Sequence, residues 1–149
     1  MRPVVRVPDT AIDLAAELAA IPSGPGTGAV VTFTGLCRDE GGRLAALEIE
    51  HYPGMAEAEI GRIAGEAAAR WPLTALRVVH RHGRVVPGDV IVLVVAASAH
   101  RDAAFEATRF LMDFLKTRAP FWKKEIWADG RDGGWVSAKT TDDEAAAGW

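Results

Sequence analysis

Residues 98–125 read SAHRDAAFEATRFLMDFLKTRAPFWKKE. Ser98 can cap a helix that runs to about Thr117, and Pro120 prevents its continuation. His100 and Arg101 then stand at the helix start, where the dipole is positive and cations are disfavoured. A sequence that puts them there is building an anion site from side-chain charge and free backbone N–H groups. Lys116 and Arg118 close the same helix, and the turn Pro120-Phe121-Trp122 leads into Lys123, Lys124 and Glu125.

Arg101, Phe105, Thr108, Met112 and Lys116 advance by four, three, four and four, so they form one stripe. Phe110 and Phe114 lie on another face. A helix apolar on two faces is buried on both, and a subunit interface is one way to cover the second. Arg101 and Lys116 are fifteen positions apart, which is about 22 Å at the helical rise. A small ligand cannot span that distance. Either the two ends serve separate sites, or two chains pair so that one helix's start meets the other's finish. The second arrangement is the expectation: a composite pocket across a symmetric dimer.

Working outward, Leu76–His82 and Val90–Ala97 read as strands joined through the turn Val86-Pro87-Gly88-Asp89. Ala29–Gly35 is an apolar strand, and Leu44–His51 alternates, with Leu47 and Ile49 on one face and Glu48 and Glu50 on the other. Met55–Arg70 has a helical stripe of Ile60, Ile63, Ala64, Ala67 and Trp71, ended by Pro72. Val4–Val7 suits a short strand. Asp9 or Thr10 can cap a helix to about Ala20, with Ile12, Ala15, Leu18 and Ala19 at helical spacing. Lys123–Trp127 and Gly134–Lys139 suit final strands, and the tail from about 140 to 149 reads as loose or as a short helix. Strands and helices mix without a strict βαβ rhythm. The expectation is therefore one α+β domain over residues 1–149, with a mixed, mainly antiparallel sheet and about three helices.

The chain has 149 residues, enough for one real core. A net charge of -3 argues against a general nucleic-acid binder, so the basic cluster from Lys116 to Lys124 suits a focused pocket better than a polyanion track. One cysteine excludes an internal disulfide and a multi-thiolate metal site. No apolar run reaches membrane-spanning length and no signal peptide is apparent, so a cytoplasmic protein is expected. The loop Gly24-Pro25-Gly26-Thr27-Gly28 lacks the Lys-Ser/Thr of a phosphate loop and precedes a strand, so it reads as a connector.

His80 and His82 are two apart on a strand and so share a face. No third metal ligand is evident, and two polar residues on an exposed face is the plain reading. Cys37 is either a thiol activated by neighbouring Arg38 or a small buried side chain. Arg38, at a strand end, is either a functional group or a solvated arginine. Lys116 and Lys123 flank the Pro120 turn. Either they are exposed cations, or they converge beside Phe121 and Trp122, where burial and mutual repulsion would lower a lysine's pKa and fit it for nucleophilic or acid–base work.

The runs GAVVTFTGLCRD, LEIEHYPGM, RWPLTALRVVHRHGRVVPGD, SAHRDAAFEATRFLMDFLKTRAPFWKKE and WV together resemble the catalytic (large) subunit family of molybdopterin synthase, from about Gly28 to Lys139. The resemblance implies an α/β hammerhead fold and a homodimer. It also implies a heterotetramer with a small ubiquitin-like sulfur-carrier subunit, whose C-terminal Gly-Gly tail carries a thiocarboxylate. The implied activity is sulfur transfer, converting cyclic pyranopterin monophosphate to molybdopterin in molybdenum cofactor biosynthesis, with no metal or resident cofactor, no nucleic acid and no membrane partner. Lys116 is implied as the lysine nearest the carrier's tail and Lys123 as the second essential lysine. Phe33, Arg38, His100, Arg101, Met112 and Glu125 are implied as substrate contacts, with Leu36, Cys37 and Lys124 lining the same segments. Lys139 stands where relatives often have an arginine lent by the neighbouring subunit, and it keeps the charge while losing bidentate geometry. Two competing readings differ in class: a non-catalytic module that docks a ubiquitin-like tail, and a metal-independent phosphoester hydrolase.

Overall fold

A computed structural model of the chain describes residues 1–22, 24–118, 120–136 and 140–149. The elements run β1 (Val4–Arg6), α1 (Leu14–Ala19), β2 (Ala29–Leu36), β3 (Leu44–His51), α2 (Met55–Arg70), β4 (Leu73–His80), β5 (Gly83–Val85), β6 (Val90–Ser98), α3 (Arg101–Thr117), β7 (Phe121–Trp127), β8 (Asp132–Trp135) and α4 (Thr140–Ala147). They build two four-stranded sheets, ordered β1-β4-β6-β2 and β5-β3-β7-β8. Among the described residues only the β1–β4 pairing is parallel.

The unbroken apolar run of β6 follows from burial on both faces of its sheet. On one face Val92, Val94 and Ala96 meet α2 and α3 through Ile60, Ala64, Ala107 and Leu111. On the other, Leu93 and Val95 join Val79 under Ile12, Leu14 and Ile21. A smaller cluster of Cys37, Leu44, Ile49, Val85 and Ile91, with Phe121 and Trp127 against it, ties the second sheet to the first. β2 lies at the edge of its sheet and leaves Val30, Phe33 and Leu36 exposed.

Several boundaries differ from the sequence expectation. α1 starts at Leu14 because Asp13 supplies the cap, its carboxylate accepting from the Ala16 amide at 3.1 Å. Of the expected apolar stripe, Ala15, Leu18 and Ala19 are exposed; the buried member of this helix is Glu17, held by Arg6 and Arg77. Ser98 does not cap α3. Its hydroxyl donates to the His100 carbonyl, and His100 takes the N-cap position without a side-chain capping bond. β4 stops at His80, since Gly83 at φ +88° turns the chain so that β5 pairs with β3 in the other sheet. β8 is Asp132–Trp135, starting before the expected Gly134, and the last part of the expected strand, residues 137–139 with Lys139, lies outside the described residues.

The tail forms a fourth helix, α4, where about three helices and a loose end were expected. Its anchor is Trp149. The indole meets Trp71 at 5.7 Å and Phe110 at 5.5 Å, edge to face, and Nε1 donates to Asp113 Oδ2 at 2.5 Å. The Phe110 side of α3 is thus covered within the chain by α2 and the tail, whereas Phe105 stays 57% exposed. Among the described residues no helix is long and apolar enough to cross a membrane.

Candidate active site

Strand ends and a helix end converge at the seam between the two sheets. β2 brings Phe33, Gly35 and Leu36, β6 brings Ile91 and Val92, and β4 ends there with His80. α3 contributes Met112, Leu115 and Lys116 from its last turns, and β7 contributes Lys123. These residues line one cavity of about 50 Å³. The strand passes this wall as glycine for a steric reason: a Cβ on Gly35 would stand 2.6 Å from Val92 Cγ1 and 3.3 Å from the Phe33 ring.

The cavity walls are apolar, yet two lysines enter them. Lys116 is exposed at the C-terminal end of α3, where an ammonium group complements the helix dipole. Lys123 is half-buried. Burial first, and then the Lys116 charge, push its ammonium down to about 8, while Cys37 and Asp142 act in the opposite direction. The Pro120 turn therefore brings the two amino groups into one electrostatic environment, and the lysine packed deeper carries the lowered pKa.

Cys37 is 3% exposed. Burial raises its pKa, Asp89 and Glu40 add to the rise, and Lys123 opposes them. Its Sγ faces the Arg38 carbonyl at 3.8 Å. The small buried side chain, held as a thiol, is the arrangement present.

His80 corrects the expectation of an exposed strand face. It is 3% exposed, its ring stacked on Phe121 at 3.8 Å and 12°. Nδ1 lies 2.9 Å from the Arg81 carbonyl oxygen. Burial, and then Lys123, push its pKa down to about 3, so the imidazole is neutral. A carbonyl only accepts, so Nδ1 carries the proton and Nε2 is left as an acceptor. The strand buries His80 because the sheet is covered on both faces; the uninterrupted apolar run of β6 beside it was the signal available in the sequence. His82 lies beyond the strand, its ring 4.1 Å from that of His51. Among the described residues no group of three or more His, Cys, Asp or Glu is placed to hold a metal.

Other sequence-predicted residues lie away from this cavity. Arg38 follows β2 with its side chain 72% exposed and pairs with Glu40 at 3.4 Å. His100 and Arg101 sit exposed at the opposite end of α3. Lys124, adjacent to Lys123 on β7, points to the other face, its Nζ 2.6 Å from Asp132 Oδ2 and 5.8 Å from the Trp135 ring centre. Glu125 shares the Lys123 face of the strand without lining the cavity. A larger depression of about 350 Å³ lies by Arg43, Trp127 and Arg131. Its Arg131 is neutralised by Asp129 at 2.6 Å, and none of the predicted residues reaches it.

Fold and site together describe a small α+β protein in which two lysines converge on one cavity at the seam of its sheets. The family model described as MoaE protein matches residues 7–118. A molybdopterin synthase catalytic subunit from Mesorhizobium japonicum is 65% identical over 150 aligned positions, covering 100% of this chain and 94% of the relative. The solved structure of a molybdopterin biosynthesis MoaE protein from Burkholderia ambifaria aligns with a TM-score of 0.83 at 47% identity, covering 100% of this chain and 98% of that one. A molybdopterin synthase structure from Staphylococcus aureus aligns at 0.78 and 33% identity, over 91% and 96%. The chain belongs to the MoaE family.

Proposed function

We propose that this chain converts cyclic pyranopterin monophosphate to molybdopterin, taking both dithiolene sulfurs from the C-terminal thiocarboxylate of a small ubiquitin-like carrier. The observation that carries the reading is the convergence of Lys116 and Lys123 on one apolar cavity at the seam of the sheets. Substrate phosphate and thiocarboxylate repel each other in water, and a site that joins them must supply positive charge and exclude solvent. Lys116, on the open side, receives the carrier's tail and stabilises the oxyanion that forms at the acyl carbon as sulfur leaves or water attacks. Lys123, its pKa lowered to about 8, exchanges protons with the intermediate that carries one sulfur. Cys37 stays a thiol and takes no part.

The phosphate end of the substrate needs cations that this protomer's cavity lacks. His100 and Arg101 lie at the far end of α3. We assign them, with Arg38, to the phosphate and pterin of a site completed across a homodimer, each protomer docking one carrier to give a heterotetramer. Lys139 enters the same proposal as the charge lent to the neighbouring site, and a cytoplasmic setting belongs to it as well. The test mixes the protein with thiocarboxylated carrier and cyclic pyranopterin monophosphate and looks for dithiolene product by mass spectrometry. Product is expected with the wild type and with Cys37→Ser, and none with Lys116→Ala. Turnover near wild type by Lys116→Ala refutes the assignment. Carrier binding without conversion would favour the docking module instead.

A further inference from the structure

The cavity residues have an uneven polar inventory. Phe33, Leu36, Ile91, Val92 and Leu115 offer no hydrogen-bonding side-chain atom, and Met112 offers only a weak thioether. Lys116 and Lys123 in their charged forms offer only donors. Among the described lining residues His80 alone has a strong side-chain acceptor. Its ring is fixed twice, by the stack on Phe121 and by the Nδ1 hydrogen bond to the Arg81 carbonyl. Those two contacts leave Nε2 as the unshielded acceptor. We propose that His80 is a positioning residue for Lys123: Nε2 accepts a hydrogen bond from the Lys123 amino group when the cavity closes over its guest, and so aims the remaining Lys123 N–H groups at the reacting sulfur.

The neutrality of the ring suits this task. A protonated imidazole would present a second N–H and a third cation beside Lys116 and Lys123. The neutral ring supplies a lone pair at a set position and adds no charge. The groups facing Lys123 are Lys116 from α3, Cys37 at the end of β2 and Asp142 from α4. Those facing His80 are Lys123, Lys116 and, from β3, His51. Asp142 acts on Lys123 through charge alone, whereas a direct acceptor fixes direction as well.

The proposal rests on the sulfur-transfer reading for its purpose, but its physical content is a contact that can be read without turnover. The experiment follows the Lys123 side chain by NMR in protein carrying 13C-labelled lysine and saturated with the carrier in its unsulfurated carboxylate form, so that the cavity is occupied, across pH, and measures kcat and KM for dithiolene formation in parallel. His80→Phe keeps a ring against Phe121 and removes the acceptor. His80→Gln restores an acceptor near the Nε2 position. His80→Asn keeps a donor toward Arg81 without that acceptor, and replaces His80→Phe if the latter does not fold. A hydrogen bond to the ammonium form favours that form, so its loss lowers the Lys123 midpoint by about one pH unit, tenfold in proton affinity. The expected outcome is that shift in His80→Phe or His80→Asn, with kcat down about tenfold, KM within about twofold, and both restored in His80→Gln. An unchanged Lys123 titration overturns the proposal. So does a rise in KM alone, which would make His80 a contact to the substrate. If the wild type yields no dithiolene while the titration still shifts, the function reading fails and the His80–Lys123 contact stands.

Discussion

Lys123 is an ammonium group held where water is scarce, and the consequence is measurable in stability. Its folded pKa of about 8 lies below the ordinary 10.5. Below pH 8 the folded state bears the whole cost of the buried charge. Between pH 8 and 10.5 the unfolded chain binds the extra proton, so folding stability rises with pH across that window. Lys123→Met should unfold at higher denaturant than wild type at pH 7, by on the order of 1–2 kcal/mol after allowance for the group's partial contact with water. That advantage should shrink toward pH 10.5 while dithiolene formation is lost. His80 works in the acid range with the same sign. Its folded pKa of about 3 lies below the free value of 6.5, so the unfolded chain takes up the proton first and stability falls as pH drops from 6.5 toward 3. Urea titrations between pH 4 and 7 should show a steeper acid loss in wild type than in His80→Phe. A matching slope would place the acid sensitivity elsewhere.

At the level of elements, α3 is held from both sides, by the β2–β6 sheet and by the tail. Leu111, fully buried between α2 and the sheet, is expected to cost about 2–5 kcal/mol on replacement by alanine. Trp149→Ala deletes the two edge-to-face contacts and the Asp113 hydrogen bond. It should cost about 1–3 kcal/mol by chemical denaturation. Because α4 also brings Asp142 toward Lys123, release of the tail should lower the Lys123 midpoint further; a stable variant with an unmoved midpoint would separate the latch from the site. Elements with strong local signals were legible beforehand. β3 and α2 fall where alternation, the Gly54 turn and Pro72 put them. α1 starts later than expected because Asp9, Thr10 and Asp13 are all competent caps, and the capping bond that forms is that of Asp13, with Ile12 packed on the first sheet ahead of it. β5 is three residues long and exists through its pairing with β3, which no local pattern encodes. His80 was misread for a related reason: whether a strand is covered on one face or two depends on what the rest of the chain lays over it.

Across the whole molecule, charge is apportioned by contrast. The net charge is -3, yet the amino groups of Lys116 and Lys123 gather at one seam. Capture of an anionic tail should therefore weaken as ionic strength rises, most steeply in the association rate, as stopped-flow mixing with the carrier can test. The chain around Pro120 sets the two lysines close in sequence but leaves open whether they stay exposed or converge, and the packing of β7 against the first sheet decides it. The separation of His100 and Arg101 from that point could be inferred, since helix length alone forbids their meeting within one protomer. On the proposed reading a second copy brings the far end to the pocket, and sedimentation should then find a dimer whose Arg101→Ala form keeps carrier binding but loses affinity for the pterin.

The cavity lies between the first sheet, with α3, and the second sheet, from which Lys123 alone among the described residues lines it. Neither sheet needs the other to keep its own ladder of hydrogen bonds. A slip of an ångström at the joint would part the two amines long before any strand came undone. Warming should thus silence the enzyme while its circular dichroism is still that of the native protein, and the gap between those two temperatures would measure how firmly the halves are clasped.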